Sequence, residues 1–461
     1  MSIGPPTGMR DWLPQDALLR QHLMETIGRV YRLYGYLPID TPVMEDLSVL
    51  LGKGGGENEK LLFKILKRGE KLVEAQAAGG GLADQGLRFD LTVPLARFVA
   101  THQGKLPKVF RRYHIAPVWR ADRPQKGRFR EFYQCDIDVV GGASPDYEVE
   151  IITATERVLK ELNLGKYRFR LSDKRLLPLV LEGYGVPKEQ IPPVTIVLDK
   201  LDKLPLDEIC AEIKKLLPAS PAASEKVAAF VRDADPIRKI ECGPAPYKFF
   251  DKVLEELAQA KVYGELEKVH NRLFVIIHSL LEVNKDSKIV FDPILVRGMD
   301  YYTGPVYEAV VEGYPSAILG GGRYDGLIGR FAGKDIPAVG CSIGFERILS
   351  ILQERNSGQT ATTVSRVLLV NDGPPSDGHL QRRAERLRNE GLCVETHLDL
   401  DDAGKQFKQA EASGIKWAIK SFDESTSTVT VRHLPERRDL TMSLAEFIAL
   451  LSVNTSSSFH P

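Results

Sequence analysis

From Trp119 to Val140 the chain reads WRADRPQKGRFREFYQCDIDVV. The apolar run KVFRRYHIAPVW leads into this stretch, Pro124 and Gly127 break its middle, and an extended run resumes after them. The pattern is a strand, a basic loop and a returning strand. Arg120, Arg123, Arg128 and Arg130, with Lys126, crowd the loop. Guanidinium groups bind phosphate bidentately, so the cluster suits a polyphosphate or a nucleic-acid backbone; a solvated charged loop is the plainer alternative. The returning strand argues for a ligand. Gln134, Asp136 and Asp138 alternate at period two, so Gln134 and Asp138 share one strand face where a core would want apolar groups.

Two other stretches carry chemistry. Arg297 to Glu308, RGMDYYTGPVYE, sets an arginine, an aspartate and the pair Tyr301 and Tyr302 between glycines. Its aliphatic residues are only Met299 and Val306, so it reads as a binding wall more readily than a buried strand, with a surface hairpin as the alternative. Farther on, AILGGGRYDGLIGRF precedes IPAVGCSIGFERILSIL, a strand turning into a helix with Glu346 and Arg347 at its start. An arginine in a first turn opposes the helix dipole, which a nearby anion would explain. A side chain snorkelling off the helix end is the bland reading.

The chain has 461 residues, enough for two to four domains. Lys plus Arg equals Asp plus Glu at 62 each, so any nucleic-acid surface is a local patch. Five dispersed cysteines without a CxxC pair point to a reducing compartment, with no disulfide framework and no structural metal site. No secretory or organellar presequence and no long apolar run is legible, so a cytoplasmic location without membrane contact is expected.

Along the chain, apolar residues at Leu19, Leu23, Ile27, Val30 and Tyr34 mark an amphipathic helix ended by Gly35. YLPIDTPVM follows as an extended segment at a sheet edge, punctuated by Pro38 and Pro42. LRFDLTVPLAR is a strand turning into a helix. Residues from roughly 176 to 261 read as a helical insertion, and 356–365, spanning NSGQTATTVS, as a solvated linker. Strands and helices then alternate over 366–451, which predicts an α/β domain with a mostly parallel sheet. The tail 452–461 is expected to be disordered.

Together these segments resemble the three signature motifs of class II aminoacyl-tRNA synthetases: the helix and strand ending at Pro42, the arginine hairpin, and GFERI at Gly344 to Ile348. RGMDYYTGPVYE, LRFDLTVPLAR and REFYQCDID resemble the histidyl-tRNA synthetase family. The resemblance implies an antiparallel-sheet α+β catalytic domain over 1–355 with the helical insertion, and a C-terminal α/β anticodon-binding domain. It also implies ATP and Mg²⁺ as cofactors, L-histidine and histidine tRNA as partners, and a homodimer. By the same resemblance Asp90, Thr92 and Gln134 would receive the histidine ammonium group, while Asp138 and Tyr302, beside Tyr301, would hold the imidazole. Arg120 and Arg297 would act on the α-phosphate. Asp122, Arg128, Phe132 and Arg347 would hold ATP, with Asp122 where most class II enzymes carry a longer glutamate. Arg123 and Gln125 would read the extra 5′ guanosine of histidine tRNA and its partner base. The resemblance also admits a synthetase-like regulatory subunit of ATP phosphoribosyltransferase, a different class II synthetase, or a binding protein that kept only the fold.

Overall fold

The computed structural model describes residues 3–51, 57–125, 127–295, 301–314, 316–355, 365–371, 378–398 and 402–456. The chain divides into two compact units, one of Met1–Asp11 with Met24–Leu352 and one of Trp12–Leu23 with Gln353–Pro461.

The larger unit is built on an eight-stranded sheet. From one edge the order is Leu37–Pro38, Phe110–Trp119, Glu131–Val140, Ala338–Gly344, Leu319–Arg323, Pro305–Val311, Tyr167–Asp173 and Ile289–Phe291. The two outermost pairings are parallel and the rest antiparallel. Phe110–Trp119 and Glu131–Val140 are the two limbs of the basic hairpin, in register from Phe110 opposite Val140 to Trp119 opposite Glu131.

Register sorts this sheet into two unlike faces. Residues directly paired across strands point the same way, so Tyr113, Ile137 and Cys341 lie on one face, as do Ile115, Cys135 and Ile343. Most of this set is buried, and two helices cover it. Pro14–Leu33 sends Tyr31 to the Cys135 carbonyl at 3.3 Å. Asp146–Glu161 buries Val149, Ile152, Val158 and Leu159 at helical spacing and stops before Asn163, whose φ is 47°. The opposite face carries Arg112, Asp138 and Gly340, then His114, Asp136 and Ser342, then Ala116, Gln134 and Gly344. That face is polar because it floors a cleft.

The segment expected to be an insertion is helical, and helices continue past residue 261, from Leu176–Gly183 through Tyr263–Val283. A charge cluster ties it to the sheet: Arg170 lies 2.5 Å from buried Asp292, 2.8 Å from Glu308 and 2.9 Å from the more exposed Asp202.

In the smaller unit five strands run in the order Cys393–Glu395, Arg366–Leu369, Trp417–Asp423, Thr428–His433 and Arg438–Ser443. The first two pairings are parallel and the last two antiparallel, so the expected mostly parallel sheet is a mixed one. The turns after Asp423 and His433 are too short for a crossover, and positive φ at Ser427 and Arg437 closes them as hairpins. The final helix, Leu444–Ser456, corrects a second expectation, because it continues through residues 452–456 where a disordered tail was read. Phe447 and Leu451 anchor it in the core, and no glycine or proline interrupts the turns that follow.

Candidate active site

A cleft of about 440 Å³ opens on the polar face, and Asp90, Arg120, Asp122, Arg128, Phe132, Gln134, Tyr301, Tyr302 and Arg347 all line it. Residues separated by more than two hundred positions meet here because the hairpin pairs with Ala338–Gly344. Arg297 falls outside the described residues.

One end of the cleft is acidic and aromatic. Asp90 precedes the helix Thr92–His102, and its Oδ1 accepts from the Val93 amide at 3.1 Å. Its Oδ2 is buried without a hydrogen-bond partner among the described residues. Burial drives the Asp90 carboxyl up to about 6, against the pull of the Val93 amide and of Arg120. Thr92, in the first helical turn, hydrogen-bonds Tyr301. Gln134 Nε2 donates to Ser342 Oγ at 3.0 Å, while Gln134 Oε1 is buried and has no such partner. Two buried acceptors on one wall are what an ammonium group requires.

Asp138 is placed differently from a wall residue. It is 3 % exposed, below the floor; Tyr324 donates its hydroxyl to Oδ1, and Oδ2 lies 2.7 Å from Arg112 Nη2, close enough for an ion pair though not aligned as a hydrogen bond. Gly340 makes this possible, since a Cβ there would stand 1.9 Å from Asp138 Oδ1. Burial raises both Asp136 and Asp138, with Arg112 opposing it in each. His114 is pushed down to about 3 by burial and by Arg112 and Arg88, so its ring is neutral. Tyr302 packs over Gly322, where a Cβ would come within 2.9 Å of its Cδ1.

Cations line the cleft as well, with Arg120 close enough to Asp90 to act on its carboxyl. Arg120 Nε donates to the Phe89 carbonyl at 3.0 Å, and its guanidinium sits 5.0 Å from the centre of the Phe132 ring. Arg347, in the first turn of Phe345–Arg355, donates to the Ala317 carbonyl. Arg123 and Gln125 are exposed at the hairpin tip, where the backbones of Gln125 and Arg128 bond each other. They are not part of the cleft wall.

Three participants were not singled out in the sequence. Tyr324 follows the glycine-rich strand, Arg112 shares strand parity with His114, and Arg10 lies in the N-terminal segment. Arg112 had a signal, a polar side chain two positions before His114 in a largely apolar strand. Tyr324 and Arg10 had none beyond their residue type.

An antiparallel sheet with a basic hairpin, an acid-floored pocket and an arginine at a strand-to-helix turn around one cleft defines a class II aminoacyl-tRNA synthetase. The sequence model for histidyl-tRNA synthetase matches residues 8–348 and that for the anticodon-binding domain matches 367–454. A histidine–tRNA ligase of Leifsonia xyli subsp. xyli is 40% identical over 414 residues, covering 84% of this chain and 91% of that protein. The crystal structure of histidyl-tRNA synthetase from Nostoc sp. PCC 7120 superposes with a TM-score of 0.82 at 26% identity, over 98% of this chain and 100% of that one. The chain belongs to the histidyl-tRNA synthetase family. An ATP phosphoribosyltransferase regulatory subunit/histidyl-tRNA synthetase from Bacillus halodurans C gives a TM-score of 0.70 at 18% identity, over 89% of this chain and 97% of that one, and shows the fold alone. Among the described residues no helix is long and apolar enough to cross a membrane.

Proposed function

We propose that this chain joins L-histidine to histidine tRNA through a histidyl-adenylate, and that the two ends of the cleft divide the work. The observation that carries this reading is the juxtaposition of two buried acceptors without a partner among the described residues, Asp90 Oδ2 and Gln134 Oε1, with the cations Arg120 and Arg347. The acceptors hold the histidine ammonium, with Thr92 and Tyr301 fixing that wall. Tyr302 and Asp138 recognise the ring, Asp138 being reached once the Tyr324 hydroxyl turns aside or bridges to it. A site that hydrogen-bonds both ring nitrogens can reject isosteres lacking them by about ten-thousand-fold.

The histidine carboxylate attacks the α-phosphorus of ATP and pyrophosphate leaves. Arg120 and Arg297 stabilise charge on the α-phosphate, an effect of roughly 3 kcal/mol for one preorganised donor. Phe132 and Arg347 enclose the adenine, with Asp122 and Arg128 beside it. The acidic side chains on this wall are Asp122 and Glu346, the latter paired with Arg10; phosphate oxygens would therefore carry most of the Mg²⁺ shell. Bound Mg²⁺ supplies charge neutralisation at the leaving pyrophosphate. In the second step a ribose hydroxyl of the tRNA 3′ adenosine attacks the acyl carbon and AMP departs.

Arg123 and Gln125, exposed at the hairpin tip, are placed to read the acceptor end; transfer to histidine tRNA with and without its extra 5′ guanosine measures this. Exposed Leu37, Val43 and Met44 near the sheet edge suit a second copy, which a sizing measurement tests. A cytoplasmic location fits the substrates. The regulatory reading is disfavoured by the retained arginines of the cleft. ATP–pyrophosphate exchange with each amino acid in turn tests the whole assignment: exchange with histidine alone, abolished in a folded Arg297→Ala variant, is expected. Exchange with a different amino acid, or none, refutes it.

A further inference from the structure

The N-terminal segment touches the nucleotide end of the cleft without lining it. Met9 N closes a turn on the Pro6 carbonyl at 2.9 Å, and the Gly8 carbonyl accepts from Arg130 N at 2.8 Å. Arg130 also reaches the Asp122 carbonyl through Nε at 3.2 Å, so the turn and the hairpin loop share one arginine. Gly8 is at φ +85°, and a Cβ there would lie 2.8 Å from Pro124 Cγ and 2.9 Å from Arg130 Cγ. Only a glycine lets the turn sit this close to both limbs of the loop.

Beyond the turn stands Arg10. Its guanidinium lies 3.5 Å over the centre of the Phe129 ring, and its Nη2 is 2.5 Å from Glu346 Oε2. Glu346 Oε1 lies 3.4 Å from the amide of Tyr133 on the returning strand. Phe129 and Glu346 both line the cleft, and Arg347 is the next residue of the same helical turn.

We propose that Arg10 is a positioning residue for the nucleotide: it clamps the hairpin loop to the Phe345–Arg355 helix and neutralises Glu346 on the wall that receives the polyphosphate. The inference rests on the proposed function, which puts ATP at this end. The charge argument is direct. Glu346 is 7 % exposed beside Arg347, and a carboxylate that loses its ion pair there repels phosphate oxygens and competes for Arg347. Arg10 removes both effects without meeting substrate. Its stacking on Phe129 holds the loop that presents Arg128.

The test is steady-state ATP–pyrophosphate exchange with Arg10→Lys, Arg10→Met and the double variant Arg10→Met/Glu346→Gln, with the KM for ATP and for histidine measured separately. Arg10→Met keeps apolar contact with Phe129 and deletes the charge. It is expected to raise the ATP KM about tenfold, the scale of a desolvated charge pair, with the histidine KM changed less than about twofold. Arg10→Lys should restore most of the affinity. The double variant should fall back to within about threefold of the parent, because removing the carboxylate removes the repulsion. An unchanged ATP KM in Arg10→Met, a parallel rise in both KM values, or no recovery in the double variant overturns the proposal. A parent chain that catalyses no exchange overturns the functional reading itself, and this inference with it.

Discussion

Asp90→Asn should make the free protein more stable and the enzyme far worse, and the balance depends on pH in a defined direction. Asp90 is buried, and its carboxyl stands at about 6 against an ordinary 3.8. At 1.36 kcal/mol per tenfold, that difference corresponds to a penalty of about 3 kcal/mol on the folded state once the group is ionised. The native state holds its proton more tightly than the unfolded one. The penalty is therefore absent below pH 4, grows between 4 and 6, and is complete above about pH 7. Asparagine keeps an Oδ1 to cap Val93 N, and the pull of the helix N-terminal amides on the charge is already contained in the position of the raised carboxyl. The net gain is then up to about 3 kcal/mol at pH 8, or roughly 4 °C in the larger unit's transition, and nothing at pH 4. Calorimetry of both proteins across that range measures it, with the two units' transitions assigned separately. Histidine-dependent exchange should fall about a hundredfold or more in kcat/KM, since the ammonium loses a buried counter-charge. A variant that melts lower than the parent by the same margin at pH 4.5 and pH 8 would show that the ionised carboxylate is already satisfied in the free protein.

Two further expectations follow from packing and hydrogen bonding. Gly340→Ala forces Asp138 away from its seat, because the new methyl would lie 1.9 Å from Oδ1 and 3.0 Å from the Ile137 carbonyl; a loss of about 3 kcal/mol or more in urea unfolding is expected, together with loss of histidine-dependent exchange. A variant of parental stability would mean Asp138 has a second place to go. Gln406→Ala removes a buried amide that accepts from Asn371 N at 2.8 Å and donates to the Asn371 carbonyl at 3.0 Å. Stranding those backbone groups should cost the smaller unit about 2–4 kcal/mol while exchange, which uses residues of the larger unit, persists below the new melting temperature.

The binding residues were legible where a residue type breaks its local pattern. Gln134, Asp136 and Asp138 stand at even spacing, alternating with apolar Cys135, Ile137 and Val139, and Arg120 and Phe132 flank a loop too basic for its surroundings. Such departures mark a polar face whatever the strand pairs with. What the spacing could not give is the partner of each group. Asp138 shares parity with Gln134, yet Gln134 reaches the cleft wall and Asp138 is closed over by Tyr324 and Arg112. The mixed sheet of the smaller unit escaped for a similar reason, since Arg438–Ser443 has little apolar signal and is a strand because it pairs with Thr428–His433.

The sequence by itself determined the hairpin, the helical character of the stretch after Leu176, the polar strand face and the set of arginines, because each is written in neighbouring residues whose spacing matches a strand or helix period. Tertiary structure alone decided that Gly340 lies under Asp138, that Tyr324 donates to it, and that Arg10 meets Phe129 and Glu346. Those contacts join positions up to 336 residues apart. They depend on sheet register, which is fixed by the sum of all the pairings and by no single segment.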